Sequence, residues 1–149
     1  MAQTTTAVNG AAATVSIYSS GAYVDISGSS QSVDAVTATV TTGEAYTFDG
    51  NYAVTTIGKY EPVEVTVNIL YTETSNEAWQ LARTLFEART ATQVKWLPLG
   101  AASGADSCET KTVGYITSID YPPVDASSAG PIMVSFTVRA PGITYTAVT

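Results

Sequence analysis

The sequence predicts a mainly β protein of the α+β type, with two packed antiparallel sheets in a sandwich-like or barrel-like body flanked by one helix. The first observation is composition. Apolar residues make up 45% of the 149 residues, mostly Val, Ala, Ile and Tyr set among Thr and Ser, a mixture that suits half-buried strands. The second is that several segments alternate between apolar and polar residues, whereas only one has helical periodicity. The third is that strand-like segments precede and follow that single helix, which indicates a helix covering sheets.

A single domain is expected, because 149 residues is an ordinary size for one hydrophobic core. We predict that it spans residues 13–149. Residues 1–12 are rich in Thr and Ala and contain an Asn-Gly pair, so we expect a flexible N-terminal arm or a strand that orders only against a neighbour. The chain starts with neither a basic stretch nor a long apolar run, so we expect no signal peptide and no membrane anchor.

The first strands are predicted from short runs of apolar and β-branched residues. Residues 13–18 and 22–26 flank a Ser-Ser-Gly turn and are expected to form a hairpin. Residues 32–42 are also strand-like. The cleanest alternation lies at 63–71, and its inward face is predicted to comprise Val63, Val65, Val67, Ile69 and Tyr71.

A long segment, Gly43 to Tyr60, separates these strands and is predicted to be a protruding hairpin loop. An Asp-Gly-Asn sequence near its middle can supply the positive φ angles of a turn. The segment is too apolar to be stable in water, so we expect it to bury its side chains on another subunit. The residues assigned to this contact are Tyr46, Phe48, Asp49, Tyr52, Ile57 and Tyr60.

One helix is predicted from Asn76 to about Arg89. Thr74 or Ser75 is the expected N-cap, and Glu77 is placed to complete a capping box with Thr74. An apolar stripe on this helix is expected to cover the core, and it comprises Ala78, Trp79, Leu81, Ala82, Leu85 and Phe86.

Strands are predicted again after the helix, at 92–97, 111–121, 132–138 and 143–148. Residues 100–107 are small and polar, and we expect a mobile surface loop there. In the second of these strands the inward face is predicted to comprise Val113, Tyr115, Thr117, Ile119 and Tyr121.

Most catalytic chemistry is disfavoured by the residue inventory, and we predict a protein that is not an enzyme. The chain has no histidine, which removes imidazole bases and imidazole metal sites. Its one cysteine, Cys108, cannot form an internal disulfide, lacks an activating imidazole and lies beside Glu109, which disfavours the thiolate. We therefore expect no catalytic residue, no metal site and no cofactor.

The charge distribution argues against tight binding of nucleic acid. Thirteen acidic and six basic residues give a net charge of −7, and the first basic residue is Lys59. Phosphate backbones are bound by clustered Lys and Arg, which this chain lacks. Before Lys59 the chain carries only the acidic residues Asp25, Asp34, Glu44 and Asp49.

The C-terminal half carries a resemblance to a known family. Gly114 to Tyr121 reads as a strand, the sequence Pro-Pro-Val-Asp-Ala at 122–126 as a turn, and Gly130 to Val138 as a second strand. This order, together with the long loop and the helix that leads into a Trp-bearing strand, resembles the tail-tube (major tail) proteins of long-tailed bacteriophages. The resemblance covers roughly residue 32 to the end.

The resemblance implies a structural subunit of the virion tail, assembled in the cytoplasm of the bacterial host. It implies homohexameric rings stacked into a tube, with the long loop joining one ring to the next and inner strands forming a continuous barrel. It also implies partners such as the tape measure, tail terminator and baseplate proteins. DNA is expected to pass through the tube without specific binding, and strand polarity assigns Asp34 and Glu64 as lumen-facing candidates.

Two alternatives remain open at this point. The first is another ring-forming tail component, such as a tail-end or baseplate-hub protein. The second is a β-sandwich ligand-binding or adhesin module, which would be a stable monomer with an ordered ligand loop.

Overall fold

The computed structural model describes residues 2–4, 6–100 and 105–147. Positions 101–104 of the predicted loop, and the last residue of the predicted strand 143–148, lie outside the described residues. Within the described part of residues 1–12 the side chains are exposed and the backbone forms neither helix nor strand.

Strands dominate the described chain, as predicted, and one α-helix interrupts them. The helix is α1 (Ala78–Ala88), and a 3₁₀ turn lies at Ser27–Ser29. In chain order the strands are β1 (Thr14–Ser19), β2 (Ala22–Asp25), β3 (Ser30–Val33), β4 (Val40–Ala45), β5 (Val54–Tyr60), β6 (Val63–Leu70), β7 (Val94–Leu97), β8 (Ser107–Thr110), β9 (Tyr115–Ile119), β10 (Met133–Ala140) and β11 (Ile143–Thr146).

Two antiparallel sheets form the body of the protein. One has five strands in the order β11-β8-β7-β1-β2, and the other has four in the order β3-β6-β10-β9. Strands β4 and β5 pair only with each other as a separate ribbon. The predicted sandwich is therefore confirmed, and among the described residues neither sheet closes into a barrel.

A two-residue turn joins β1 and β2 in the first hairpin. Ser19 of β1 pairs with Ala22 of β2, so that Ser20 and Gly21 alone form the turn. Their φ angles of 53° and 86° are both positive, which is the geometry of the two-residue turns that match strand twist. The hairpin predicted from the Ser-Ser-Gly sequence is confirmed.

The centre of the four-stranded sheet is the β6–β10 pair, which runs in register from Val63 opposite Ala140 to Leu70 opposite Met133. Its inward side chains lie in the core, where Val67 and Phe136 are 0% exposed. Burying each such apolar side chain contributes about 1.5–3 kcal/mol. The alternation predicted for 63–71 is confirmed, although Tyr71 lies just beyond the end of the strand.

The predicted inward face of the 111–121 strand is confirmed only at Ile119, which packs against the core, and is otherwise wrong. Strand β9 contains a bulge: Ser118 pairs with Thr137 and Ile116 pairs with Val138, which leaves Thr117 without a direct partner. An extra residue reverses which side chains face the core beyond it. Consequently Ile116 is buried, whereas Tyr115 is exposed. Val113 and Tyr121, which belonged to the same predicted face, are also exposed.

Helix α1 lies over the core with Ala78, Trp79, Ala82 and Leu85 buried, so the predicted stripe is largely confirmed. The predicted cap was wrong. The helix begins two residues later than expected, and Glu77 is the N-cap but makes no capping hydrogen bond with its side chain. The first helical amide, that of Ala78, instead donates to Ser29 Oγ at 3.3 Å. The Glu77 carboxylate instead accepts a hydrogen bond from the Thr72 hydroxyl, which ties the helix to the end of β6.

Two further strand predictions need correction. The run at 32–42 is not one strand, because β3 ends at Val33 and the chain crosses to the separate ribbon before β4 begins. Strand β8 was missed because its sequence, Ser-Cys-Glu-Thr, looks like a surface loop. Its buried Thr110 is accommodated because its Oγ1 accepts a hydrogen bond from the Val94 amide at 3.0 Å, which removes the cost of burying a hydroxyl.

Candidate interaction surfaces

The β4–β5 ribbon is the first candidate surface. The two strands pair from Val40 opposite Tyr60 to Ala45 opposite Val54, with a bulge near Thr41. Every residue of β5 is exposed, as is every residue of β4 after Val40. The ribbon and its tip (residues 46–53), together called the projecting hairpin, thus correspond to the long protruding loop predicted from sequence.

Two glycines allow the ribbon strands to approach closely. A Cβ on Gly58 would lie 2.3 Å from Thr41 Oγ1, and one on Gly43 would lie 3.0 Å from Thr56 Oγ1. The two threonines donate across the ribbon, Thr41 to the Lys59 carbonyl at 3.1 Å and Thr56 to the Gly43 carbonyl at 3.3 Å. A lone two-stranded ribbon is marginally stable, so these local contacts matter for its shape.

Large apolar side chains cover the projecting hairpin and face water. Phe48 is fully exposed, Tyr46 is 80% exposed and Ile57 is 75% exposed. The members of this apolar set are Tyr46, Phe48, Tyr52, Val54, Ile57 and Tyr60. Val54 was missing from the prediction, although it lies in β5 opposite Ala45 and is 55% exposed. Several large apolar side chains exposed in one segment indicate an interaction site.

The outer face of the four-stranded sheet is the second candidate surface, and polar side chains form a network across it. Thr66 Oγ1 and Thr137 Oγ1 hydrogen bond at 3.0 Å. Also on β10, the Ser135 amide and hydroxyl donate to Asp120 Oδ2, just after β9, at 3.2 and 2.9 Å. All four residues are exposed or half-buried, so this face contrasts with the apolar face that lines the core.

The two sequence-predicted lumen candidates lie on this same outer face. Asp34 follows β3, and its carboxylate accepts a hydrogen bond from Asn68 Nδ2 at 2.9 Å. Glu64 lies on β6 and forms an ion pair with Arg139 of β10 at 3.0 Å. Sequence reasoning missed this partner because Arg139 is 75 residues away, although register between the two alternating strands could have found it.

Unpaired strand edges are the third candidate surface. In the described chain the outer edges of β3 and β9 bound the four-stranded sheet, and neither has a strand partner there. Such edges expose N–H and C=O groups that can pair with another chain. The two strands form the two opposite edges of one sheet, so each edge of a copy can pair with a different neighbouring copy.

Two side chains of the five-stranded sheet, Cys108 and Tyr23, have pKa values raised by their surroundings. Burial, and then the charge of Asp106, raises the pKa of the Cys108 thiol, which leaves it protonated at neutral pH. Burial and the hydrogen bond to Glu109 raise the pKa of Tyr23 well above its usual range. Both shifts follow from packing in the sheet and create no nucleophile.

No group of three or more potential metal ligands occurs among the described residues. The one helix of the described chain, 11 residues long, is too short to cross a membrane.

The same fold occurs in proteins of phage tails and contractile injection systems. The chain is similar to a protein in the sheath–tube complex of the extracellular contractile injection system PVC, with a TM-score of 0.73 and 14% identity over 97% of this chain and 94% of the other. It is similar to a protein in the baseplate of the anti-feeding prophage (TM-score 0.75, 10% identity, 100% and 99% coverage). It is also similar to the SPP1 tail-tube protein (TM-score 0.62, 16% identity, 95% and 80% coverage).

A scan of protein-family models and a search of curated proteins both find no match. At the identities given above, the structural similarity establishes the fold. The resemblance to tail-tube proteins that was inferred from sequence is thus confirmed at the level of structure.

Proposed function

We propose that this protein is the repeating subunit of a phage tail tube, assembled from stacked homohexameric rings in the bacterial host and located in the virion tail. The proposal is supported by one observation: the same small domain has both unpaired strand edges and an uncovered apolar segment. The four-stranded sheet, whose outer face is polar, has two open edges, and the apolar projecting hairpin extends from the body into water. A second copy of the chain can satisfy both.

Ring closure would use the edges of the four-stranded sheet. Pairing of β9 in one copy with β3 in the next would continue the hydrogen-bonded ladder and bury both edges. Contact through two different patches forms a closed ring when the rotation between copies divides a full turn evenly. The similar anti-feeding prophage baseplate is six-fold symmetric, which supports a ring of six.

In such a ring the polar outer face of the four-stranded sheet lines the channel. Hydroxyl, amide and carboxylate groups dominate this face, and its guanidinium at Arg139 is already paired with Glu64. The face therefore gives passing DNA little cationic surface on which to bind, which favours transit without retention. Asp34 adds negative charge that repels phosphates.

Charge reversal tests the channel assignment. Asp34→Lys together with Glu64→Lys places two cations on the face and leaves Arg139 beside a like charge. We expect tubes of normal appearance that eject DNA slowly, because phosphates would be retained. Thr144→Lys on the outermost strand of the other sheet is the matched control. Normal ejection by the double variant would contradict the channel assignment.

The projecting hairpin would join one ring to the next. Its apolar side chains have no cover within the described chain, and stacking would bury them on the adjacent ring. At the two ends of the tube the same surfaces would meet terminator and baseplate proteins, and the lumen would hold the tape measure protein during assembly.

Electron microscopy of the purified protein, with and without residues 47–56, tests the proposal. The complete protein should form tubes or stacked rings. The deletion should leave the melting transition of the body unchanged, because the hairpin packs on neither main sheet, and it should abolish stacking. A complete protein that stays monomeric at high concentration would refute the assembly function and favour a ligand-binding module.

Another ring-forming tail component is the second candidate, and the likeness to a baseplate protein with a TM-score of 0.75 favours it. A tube subunit polymerises without limit, whereas a tail-end component stops at one ring. The length distribution of the assemblies in the same micrographs separates the two.

A further inference from the structure

A groove lies between the C-terminal end of α1 and the start of the edge strand β9. It is lined by Phe86, Glu87, Arg89, Tyr115 and Ile116. Ile116 is buried, Phe86 is half-buried and Tyr115 is exposed, so the groove offers an apolar surface open to solvent. We call it the helix-end groove.

The helix-end groove also carries a cation that is free to bind. Arg89 ends the helix in a left-handed conformation with φ 54°, and its amide donates to the Phe86 carbonyl at 3.2 Å. Its guanidinium forms no ion pair with any residue that the structure describes. The nearby Glu87 is already paired with Arg83 at 3.1 Å, so that Arg89 is left to attract an anion.

The tip of the projecting hairpin presents the complementary groups. Fully exposed Phe48 stands next to Asp49, whose carboxylate has no ion-pair partner in the described chain. The tip backbone is held by the Thr47 hydroxyl, which donates to the Asp49 carbonyl at 2.6 Å, and by Gly50 with φ 98°. An aromatic ring and a carboxylate therefore project together from a defined turn.

We propose that the tip of the hairpin in one copy binds the helix-end groove of a copy in the adjacent ring. Asp49 would pair with Arg89, and the Phe48 ring would pack against Phe86. The inference rests on the proposed self-assembly and names the receptor for its stacking contact. No residue of the hairpin lines this groove within one chain, so a second copy must supply the tip.

Charge selects this groove over the other two large ones. The groove formed by residues 123–133 carries one charged side chain, Asp125, which would repel Asp49. The groove between the N-terminal segment and Trp96 is lined by no charged residue. Only the helix-end groove, of these three, combines aromatic side chains with an unpaired cation.

A charge swap tests the proposal. Tube formation is measured by sedimentation and electron microscopy for Asp49→Arg, Arg89→Asp and the double variant, and thermal melts check the fold. Aspartate tolerates the left-handed conformation at position 89, so Arg89→Asp should fold. We expect each single variant to raise the protein concentration needed for tubes by about tenfold or more, and the double variant to restore it.

Asp125→Arg is the matched control, since it changes an exposed charge in a different groove and should assemble normally. Normal assembly of folded Arg89→Asp would overturn the groove assignment while leaving the tube function standing. Impaired single variants that the swap fails to rescue would also overturn it, because another segment would then occupy the groove. Failure of the unmodified protein to assemble would overturn both proposals.

Discussion

The β6–β10 pair and the β4–β5 ribbon are built from similar residues but have opposite surroundings. Both contain Val, Ile and Thr in antiparallel register. Val67 of β6 is 0% exposed, whereas Ile57 of β5 is 75% exposed. The residue types thus favour antiparallel strand pairing in both regions. Whether the side chains are buried depends on whether another layer of the protein covers the strands.

The difference shows where the free subunit is incomplete. Strand β6 lies between two other strands and beneath α1, so its apolar face is covered within the chain. The ribbon has no covering layer in the described structure, although its apolar side chains would each gain free energy from burial. Identical residues should therefore contribute to folding in one region and to association in the other.

The largest effect is expected from an aspartate placed in each region. Val67→Asp puts a carboxyl group without a partner at a fully buried apolar position, and its desolvation opposes the folding of a domain whose stability is typically about 5–15 kcal/mol. We expect no soluble folded protein. Ile57→Asp should fold with an unchanged melting temperature and lose assembly. Solubility and circular dichroism measure the first outcome, and sedimentation measures the second.

A folded Val67→Asp protein would contradict the assignment of β6 to the core. Unfolding of Ile57→Asp would show that the ribbon contributes to the stability of the body.

A smaller effect is expected from truncating a phenylalanine in each region. Phe136→Ala leaves a cavity in the core and should lower the free energy of unfolding by about 3–5 kcal/mol. Phe48→Ala removes an exposed ring and should change it by less than about 0.5 kcal/mol. Denaturant unfolding of both variants measures the two changes in the free energy of unfolding. Equal changes would contradict the different surroundings assigned to the two regions.

The smallest effect is expected from removing a hydroxyl in each region. Thr110→Val leaves the buried Val94 amide without its acceptor, and should cost about 1–3 kcal/mol. Thr56→Val loses a hydrogen bond that water can replace, and should change stability by less than about 0.5 kcal/mol. Chemical denaturation followed by tryptophan fluorescence checks both values.

Sequence patterns were sufficient wherever one strand face meets the core without interruption. Strands β6 and β10 were predicted correctly because their alternation is unbroken over eight residues. Strand β9 was not, since its bulge at Thr117 reverses the alternation and leaves no sign in the residue types. Strand β8 was missed because the hydroxyl of its buried Thr110 is satisfied by the distant Val94 amide, which no local pattern reveals.

The candidate surfaces were predictable in part. Exposed aromatic residues in an over-long loop indicated the projecting hairpin, and strand polarity placed Asp34 and Glu64 on one face. The ion pair of Glu64 with Arg139 required the pairing of β6 with β10, which the sequence analysis did not assign. The helix-end groove was not predictable, because it depends on residues brought together by the tertiary fold.

The apolar projecting hairpin also affects how fast free subunits associate. Each copy carries a net charge of −7, and the resulting repulsion between copies opposes random association through their exposed aromatic side chains. Spontaneous nucleation should consequently be slow, and a preformed template should capture subunits one ring at a time. Added salt should shorten the lag before polymers appear, because it screens this repulsion while the apolar attraction persists.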